Sequence, residues 1–477
     1  MLKDQAFNVR GATYDEFFIT PRPDPEPEDC EGNPCSPATG NKSQIEQDYD
    51  AKSVPGLSFS RYYNSQGEYR HVLHMAPGWR SDFSQRMDSL PVPEYVGLAG
   101  GEASSSYPTP DAACISGFVE IKSSVWGGTL SGASAEYAGG SLCRIYLGQQ
   151  TLAWFNVNGG VTVGLLPTSI HTITRANGMT YVFQQTNGQW FDALNPDFKL
   201  QAQGTDWVFT DNDNTKETYN PSGQLITITS VSGRTTTLTY DLAIGAGGDD
   251  NLDTLDHVSE DAGHFLSFTY IDNAGQSRLS SITTPSGDLV YGYDVQGNLN
   301  TVTYPDGESK TYHYEDINFP HHLTGITDER DIRYATWAYN TDGKAILSEH
   351  AGGIEQVILT YNPDGTTAVT DSRGANRTYN FTPQRGNFKV TQIVGDLCTD
   401  CPNGDKKDRS YDANGYLSSY TDWSNAITEI GNYDAIGQLG FKIEAKGTPD
   451  ERRSDFTYDP RFHNKTTTIT APSVFSP

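Results

Sequence analysis

The residues with the chemistry to catalyse or to bind metal are few and lie far apart. Six cysteines fall into Cys30/Cys35, Cys114, Cys143 and the Cys-x-x-Cys of "CTDC", Cys398–Cys401. A zinc site needs four ligands, and no second Cys-x-x-Cys or His-x-x-x-His stands near this one. A thioredoxin-type redox pair needs a βαβ context that is absent. "CTDC" therefore reads as a loop disulfide or free thiols, as half of a metal site closed by Cys30/Cys35, or as a redox pair. Asp249, Asp250 and Asp253 in "GAGGDDNLD" are the wrong charge for a phosphate loop. They suit calcium better, as do Asp211 and Asp213, but the EF-hand spacing is missing and a solvated acidic insert is the simpler reading. His321–His322 has no Cys or Asp at ligand spacing, which points to a surface turn. "TDERD", Thr327–Asp331, reads as an ion-pair cluster at a strand end. No Gly-x-Ser-x-Gly elbow occurs. Nothing here predicts an enzyme, a cofactor or a metal.

What positions these residues is a repeat. The pattern Tyr-[Asp/Asn]-x-x-Gly occurs at Tyr219/Gly223, Tyr293/Gly297, Tyr339/Gly343, Tyr361/Gly365, Tyr411/Gly415 and Tyr433/Gly437. Looser copies stand at Tyr240, Tyr270, Tyr314 and Tyr458, so that successive tyrosines from Tyr293 to Tyr361 are 21, 25 and 22 residues apart. Two strands of about seven residues with two turns of three to four fill such a period, so each unit is one β-hairpin. The Asp or Asn bonds its own backbone two residues on, and the glycine supplies the left-handed position of the turn. The tyrosine ends a strand, where its ring covers the face below and its hydroxyl reaches a backbone partner. An isolated hairpin is marginal in water, so the units must stack edge to edge. The predicted fold is all-β: an array of hairpins joined into a long, curled antiparallel sheet.

Upstream, residues 1–40 read as an extended tail, because "TPRPDPEPEDCEGNP" alternates proline with acids. Residues 41–205 form a separate β module and 206–477 the repeat sheet. In "GLSFSRYYNS", Leu57, Phe59 and Arg61 share a face, and Tyr62–Tyr63 break the alternation. Asn177–Gly178 and Asn187–Gly188 predict hairpins with type I′ turns.

Composition narrows the function. Thirty-three Lys+Arg against 60 Asp+Glu give a net charge of -27, which argues against a phosphate-backbone partner and against docking on an anionic membrane. With 27 tyrosines and 20 phenylalanines against 4 methionines, the chain favours pleated surfaces over helices. It has no apolar run of 18 residues and no signal-peptide segment at its start. That leaves a cytoplasmic protein, export by a route that reads no signal here, or an N-terminus lying elsewhere.

The repeat, with Gly-x-Leu after it in "YDVQGNLNTVTYPDG" and "YDANGYLSSYTD", resembles the YD repeat of Rhs proteins. The string "NPCSPATGNKSQIEQDYDAKSVPGLSFSRYYNSQ", Asn33–Gln66, with "PGWRSDFSQRM" after it, resembles the module that precedes those repeats in bacterial members. The two resemblances run over about residues 33–470. They imply a spiral sheet closing as a hollow shell around a C-terminal toxin domain, in a secreted or cell-surface protein, as in Tc toxin B/C components. The related teneurins imply the alternative, an adhesion or carbohydrate-binding module. The pattern departs at both ends: no tip domain is recognisable before residue 33, and no toxin domain before Pro477. About eleven hairpins also fall short of closing a shell. The implied partners are a toxin domain encoded downstream or other shell segments, with carbohydrate as the alternative ligand, no nucleic acid and no membrane insertion.

Overall fold

The structure, a computed structural model, describes residues 35–51, 57–66, 74–91, 114–115, 117–118, 134–139, 142–147, 150–156, 169–186, 188–192, 198–241, 254–273, 276–384, 387–396, 406–412, 415–434, 437–459 and 466–470. It is built almost wholly of strands, as the tyrosine- and threonine-rich alternation predicts. One antiparallel sheet starts at Arg86–Pro91, passes to Ser169–Thr174 and Thr180–Thr186, and continues strand by strand to Thr466–Thr470. Each hairpin hydrogen-bonds to the next, so no repeat stands alone.

The sheet meets itself after one turn. Arg86 bridges Gln224, and the Met87 amide donates to the Gly223 carbonyl at 2.9 Å. Strands from Arg86–Pro91 to Leu225–Thr229 thereby complete one turn, and the later hairpins carry the sheet beyond it. The closure depends on a missing side chain. A Cβ at Gly223 would lie 1.8 Å from the Met87 carbonyl oxygen, and its φ of 79° is one that other residues rarely adopt.

The sheet begins within the segment that composition assigns to the N-terminal module. The rest of that segment forms two further units. Ser43–Tyr49, Phe59–Asn64 and Trp79–Ser81 pair into a small sheet, and Cys35 bridges Lys42. Its inward residues Leu57, Phe59, Tyr63 and Trp79 belong to the same apolar core as Leu289, Val302, Ile326 and Leu359 of the repeats, so this unit plugs the inner face. Ser134–Gly139, Leu142–Leu147 and Gln150–Asn156 make a third sheet with its own core, around the Cys114–Cys143 disulfide and Phe155.

Two local readings are corrected. Phe59–Asn64 keeps a strict buried/half-buried alternation, with Phe59, Arg61 and Tyr63 all inward. Tyr62 simply lies on the other face, where its hydroxyl donates to Asp82 at 2.7 Å. At Asn177–Gly178 the hairpin forms, but only Gly178 has positive φ, 89°. The Arg175 carbonyl accepts from Gly178 and the Asn177 side chain from Met179, which makes a wider turn than type I′.

Candidate functional site

The six predicted corners share one backbone turn, and at five of them the Asp or Asn side chain also accepts the amide four residues on. At Asp294 the backbone carbonyl accepts from Gly297, and the carboxylate accepts from the amides of Gln296 and Asn298 at 2.9 and 2.8 Å. Asn220 and Asn340 do the same with Ser222/Gln224 and Asp342/Lys344. Asp412 and Asp434 take the amides of Tyr416 and Gln438, and Asn362 reaches Thr366. Gly223, Gly297, Gly343, Gly365, Gly415 and Gly437 all have φ between 74° and 87°.

The tyrosines do more than cap a strand. The ladder register slips by one residue at Tyr219, Tyr240, Tyr270, Tyr293, Tyr339, Tyr411 and Tyr458. Such a bulge re-aims the side chain. The hydroxyls then reach back one hairpin: Tyr240 to the Leu225 carbonyl at 2.7 Å, Tyr293 to Leu279 at 2.6 Å, Tyr339 to Leu323 at 2.7 Å, Tyr361 to Ala345 at 2.6 Å and Tyr433 to Leu417 at 2.6 Å. Tyr270 and Tyr411 reach Leu255 and Val390, both at 2.9 Å. Leu225, Ala345 and Leu417 each stand two residues after a corner glycine, so one unit's corner receives the next unit's tyrosine. Burial pushes the Tyr240, Tyr293 and Tyr361 phenols above their ordinary range, which keeps them neutral donors. Tyr219 departs from the pattern. Its hydroxyl donates to Glu217 at 2.6 Å, and Glu217 also pairs with Arg175.

Where the plug meets the repeats the contact is polar and buried. Arg61 Nε and Nη2 donate to the two carboxylate oxygens of Asp48 at 2.5 and 2.8 Å, with both side chains 0 % exposed. Two repeat tyrosines complete the cluster. Tyr291 donates to Asp48 at 3.0 Å, and the Tyr312 hydroxyl accepts from Arg61 at 2.7 Å. Burial works against the guanidinium's charge, but Asp48 and the neighbouring phenol oxygens outweigh it and hold the Arg61 pKa well above its usual value. Burial, reinforced by Asp48, keeps Tyr291 neutral. Around this centre Trp79 Nε1 donates to Tyr314 at 2.8 Å, Lys310 to Glu46 at 2.9 Å, and Lys42 lies 4.1 Å over the Trp337 ring. Ala345 donates to the Gly40 carbonyl and Thr367 to that of Pro37. Sequence reasoning placed Arg61 on an apolar face without asking what neutralises it; a charge among Leu57 and Phe59 was the available signal.

The candidate chemical residues resolve into structural roles or lie outside the described residues. Asp249, Asp250, Asp253, Cys30, Cys398 and Cys401 are outside them. Cys35 is a free thiol beneath the sheet, its pKa raised by burial to about 11. Asp211 accepts from the Asp213 and Thr215 amides, both at 2.9 Å, as a corner residue. Asp328 holds the amides of Arg330 and Ile332 and pairs with the Arg330 guanidinium, which makes "TDERD" another corner with its ion pair. His321–His322 is not a surface turn: His322 is 4 % exposed, packed between Phe319 and Tyr339. Among the described residues no three His, Cys, Asp or Glu side chains gather as a metal site.

Residues 32–94 match the family model DUF6531, a domain of unknown function, and residues 219–243 and 272–309 match the RHS Repeat model. No curated protein matches the chain. Among solved structures, a crystal structure of TcdB2-TccC3 is 11% identical over 71% of this chain and 27% of that one, at a TM-score of 0.23. A Tc holotoxin pore of Photorhabdus luminescens is 12% identical over 74% and 25%, at 0.21. The N-terminal domain of the effector protein SpvB from Salmonella typhimurium strain LT2 is 11% identical over 74% and 98%, at 0.19. The chain thus spans about a quarter of the Tc chains it matches. Scores this low add nothing to the assignment, which rests on the repeat itself. The chain sets this corner again and again along one sheet, and two stretches of it match the RHS Repeat model: it carries RHS repeats.

Proposed function

We propose that the chain is the wall and inner seal of a β-shell that encloses a toxin domain, encoded downstream or carried by a partner segment, in a secreted or cell-surface protein. The observation that carries this reading is the buried plug. The sheet turns one face inward, and the small sheet of Ser43–Tyr49, Phe59–Asn64 and Trp79–Ser81 covers that face through the Arg61–Asp48–Tyr291–Tyr312 cluster. A surface meant for display would not spend its aromatic side on an internal module. The six corners, Tyr219/Gly223 through Tyr433/Gly437, act as structural repeat positions, and the protein has no catalytic task of its own.

The adhesion or carbohydrate-binding alternative is disfavoured by the same tyrosines. Their hydroxyls are engaged with backbone carbonyls and their rings rest on the core, so neither is offered to a sugar. The test is to express the chain with its downstream coding sequence and digest it with protease. Survival of a C-terminal fragment inside an intact particle is expected. If that fragment is cleaved as fast as in denaturant-opened protein, the enclosure reading fails. A glycan array should stay at background.

A further inference from the structure

The plug is held at one rim by a loop that contains a buried imidazole. The chain leaves the sheet after His313 and returns at Gly325, and residues 315–323 form the body of this loop. The plug's Tyr63 hydroxyl sits between the two ends of a three-residue stretch there. It donates to the His321 carbonyl at 2.9 Å and accepts from the Leu323 amide at 2.8 Å. His322, between them, points into the protein. Its ring stacks on Phe319 at 4.7 Å and lies against Tyr339 at 4.6 Å. A Cβ at Gly343 would come within 3.0 Å of its Cε1, so the pocket is tight. The Nδ1 atom is enclosed and has no hydrogen-bond partner.

The charges facing this ring are few. On its own loop Asp316 favours the imidazolium and His321 opposes it, while from the plug a hydrogen bond between the ring and the Ser65 backbone also favours the imidazolium. From the corner beside it, the Lys344 ammonium is turned away, 4.8 Å over the Tyr361 ring. From the strand Arg333–Tyr339, Tyr339 is bonded to the Leu323 carbonyl and Arg333 is paired with Glu315. Burial dominates and holds the imidazole at about 4, below its ordinary 6.5.

We propose that His322 is an acid-sensitive latch, whose protonation opens the 315–323 loop, releases Tyr63 and frees that rim of the plug from the sheet. A proton on Nδ1 would make a buried donor without an acceptor, and the loop relieves this by turning the ring to water. The sign follows from linkage. The closed state binds the proton less tightly than the open one, so acid favours opening. The effect is absent above about pH 6.5, grows about tenfold per pH unit below it, and levels off near pH 4. The latch is independent of what the sheet surrounds; only its use in releasing a cargo rests on the proposed enclosure.

Hydrogen exchange on the full chain from pH 7.5 to 4.5, corrected for intrinsic rates, tests this. Peptides covering 57–66 and 315–324 should lose protection at least about tenfold between pH 6 and 4.5, while Leu299–Thr303 and Ile354–Tyr361 hold theirs. His322→Phe keeps the ring stack and should abolish the step. Tyr63→Phe should expose the same peptides at neutral pH. The proposal is overturned if wild-type protection persists to pH 4.5, if the whole sheet opens in the same step, or if His322→Phe retains it. Should His322→Phe not fold, the wild-type His322 Cε1–H resonance decides: its midpoint must coincide with the exchange step, and a separation of the two overturns the latch.

Discussion

Arg61 grips Asp48 with two donors in a space that excludes solvent from both, and Tyr291 and Tyr312, some 250 residues on, close the remaining sides. A buried pair enclosed in this way is costly to break from one side. Asp48→Asn or Arg61→Met alone should destabilise the plug by about 3–5 kcal/mol, because each leaves an uncompensated charge in the core. The double change Arg61→Met/Asp48→Leu should recover much of this. Denaturant titration read through Trp79 fluorescence measures both. Equal losses in the double and single variants would refute the account.

The tyrosine ladder predicts small, repeated and additive effects. Tyr293→Phe or Tyr361→Phe keeps the ring and removes one bond to a carbonyl, so each should cost about 1 kcal/mol. The two sites share no partner, and their losses should sum in the double variant. Tyr219→Phe should cost more, since it strips a donor from Glu217 within a buried ion pair.

Glycine corners that look alike in sequence differ in what surrounds them. Gly365→Ala strains only the backbone, at φ 87° with nothing within 4 Å of the new Cβ, and should cost about 1 kcal/mol. Gly223→Ala drives a methyl into the Met87 carbonyl and should break the closure between Arg86–Pro91 and the Gly223 corner. Faster exchange at Met87 with the later repeats unaffected is the expected readout.

Asp211 supplies a pH dependence of opposite sense to a salt-bridged carboxylate. Burial, with smaller contributions from Asp213 and Glu217, raises it from 3.8 to about 6, against the amide bonds it accepts. The folded state therefore binds the proton more tightly than the unfolded one. Its carboxylate weakens the fold above about pH 6, and that loss is relieved as pH falls toward 3.8. Asp211→Asn keeps an acceptor for the Asp213 and Thr215 amides and removes the charge. It should raise the melting temperature at pH 7.5 and leave it unchanged near pH 4.

The parts of this fold that could be read from the chain are those whose chemistry is local. A corner such as Asp294–Asn298 is made by side chains bonding their own backbone, so type and spacing suffice. The hairpin period follows from the same corners. What could not be read are contacts set by closure. Nothing near Arg61 in sequence announces Tyr312, and nothing near Gly223 announces Met87. His322 was misplaced for the same reason. A stretch such as "NFPHHLTG" looks like a surface turn until Tyr63 and Tyr339 come down on it from distant strands. The bulges at the tyrosines also escape a strict alternation reading, because one inserted residue resets every face after it.

The backward reach of each phenol has a consequence for how such a chain is made. Tyr433 has no acceptor until the Gly415 corner has set the Leu417 carbonyl in place, and Tyr361 waits likewise on the Gly343 corner. Units joined by this reach are templated by the predecessor and in turn prepare a berth for the successor. Assembly on the ribosome then acquires a direction, from the earliest-made strands outward, and an error in one unit stalls those that follow.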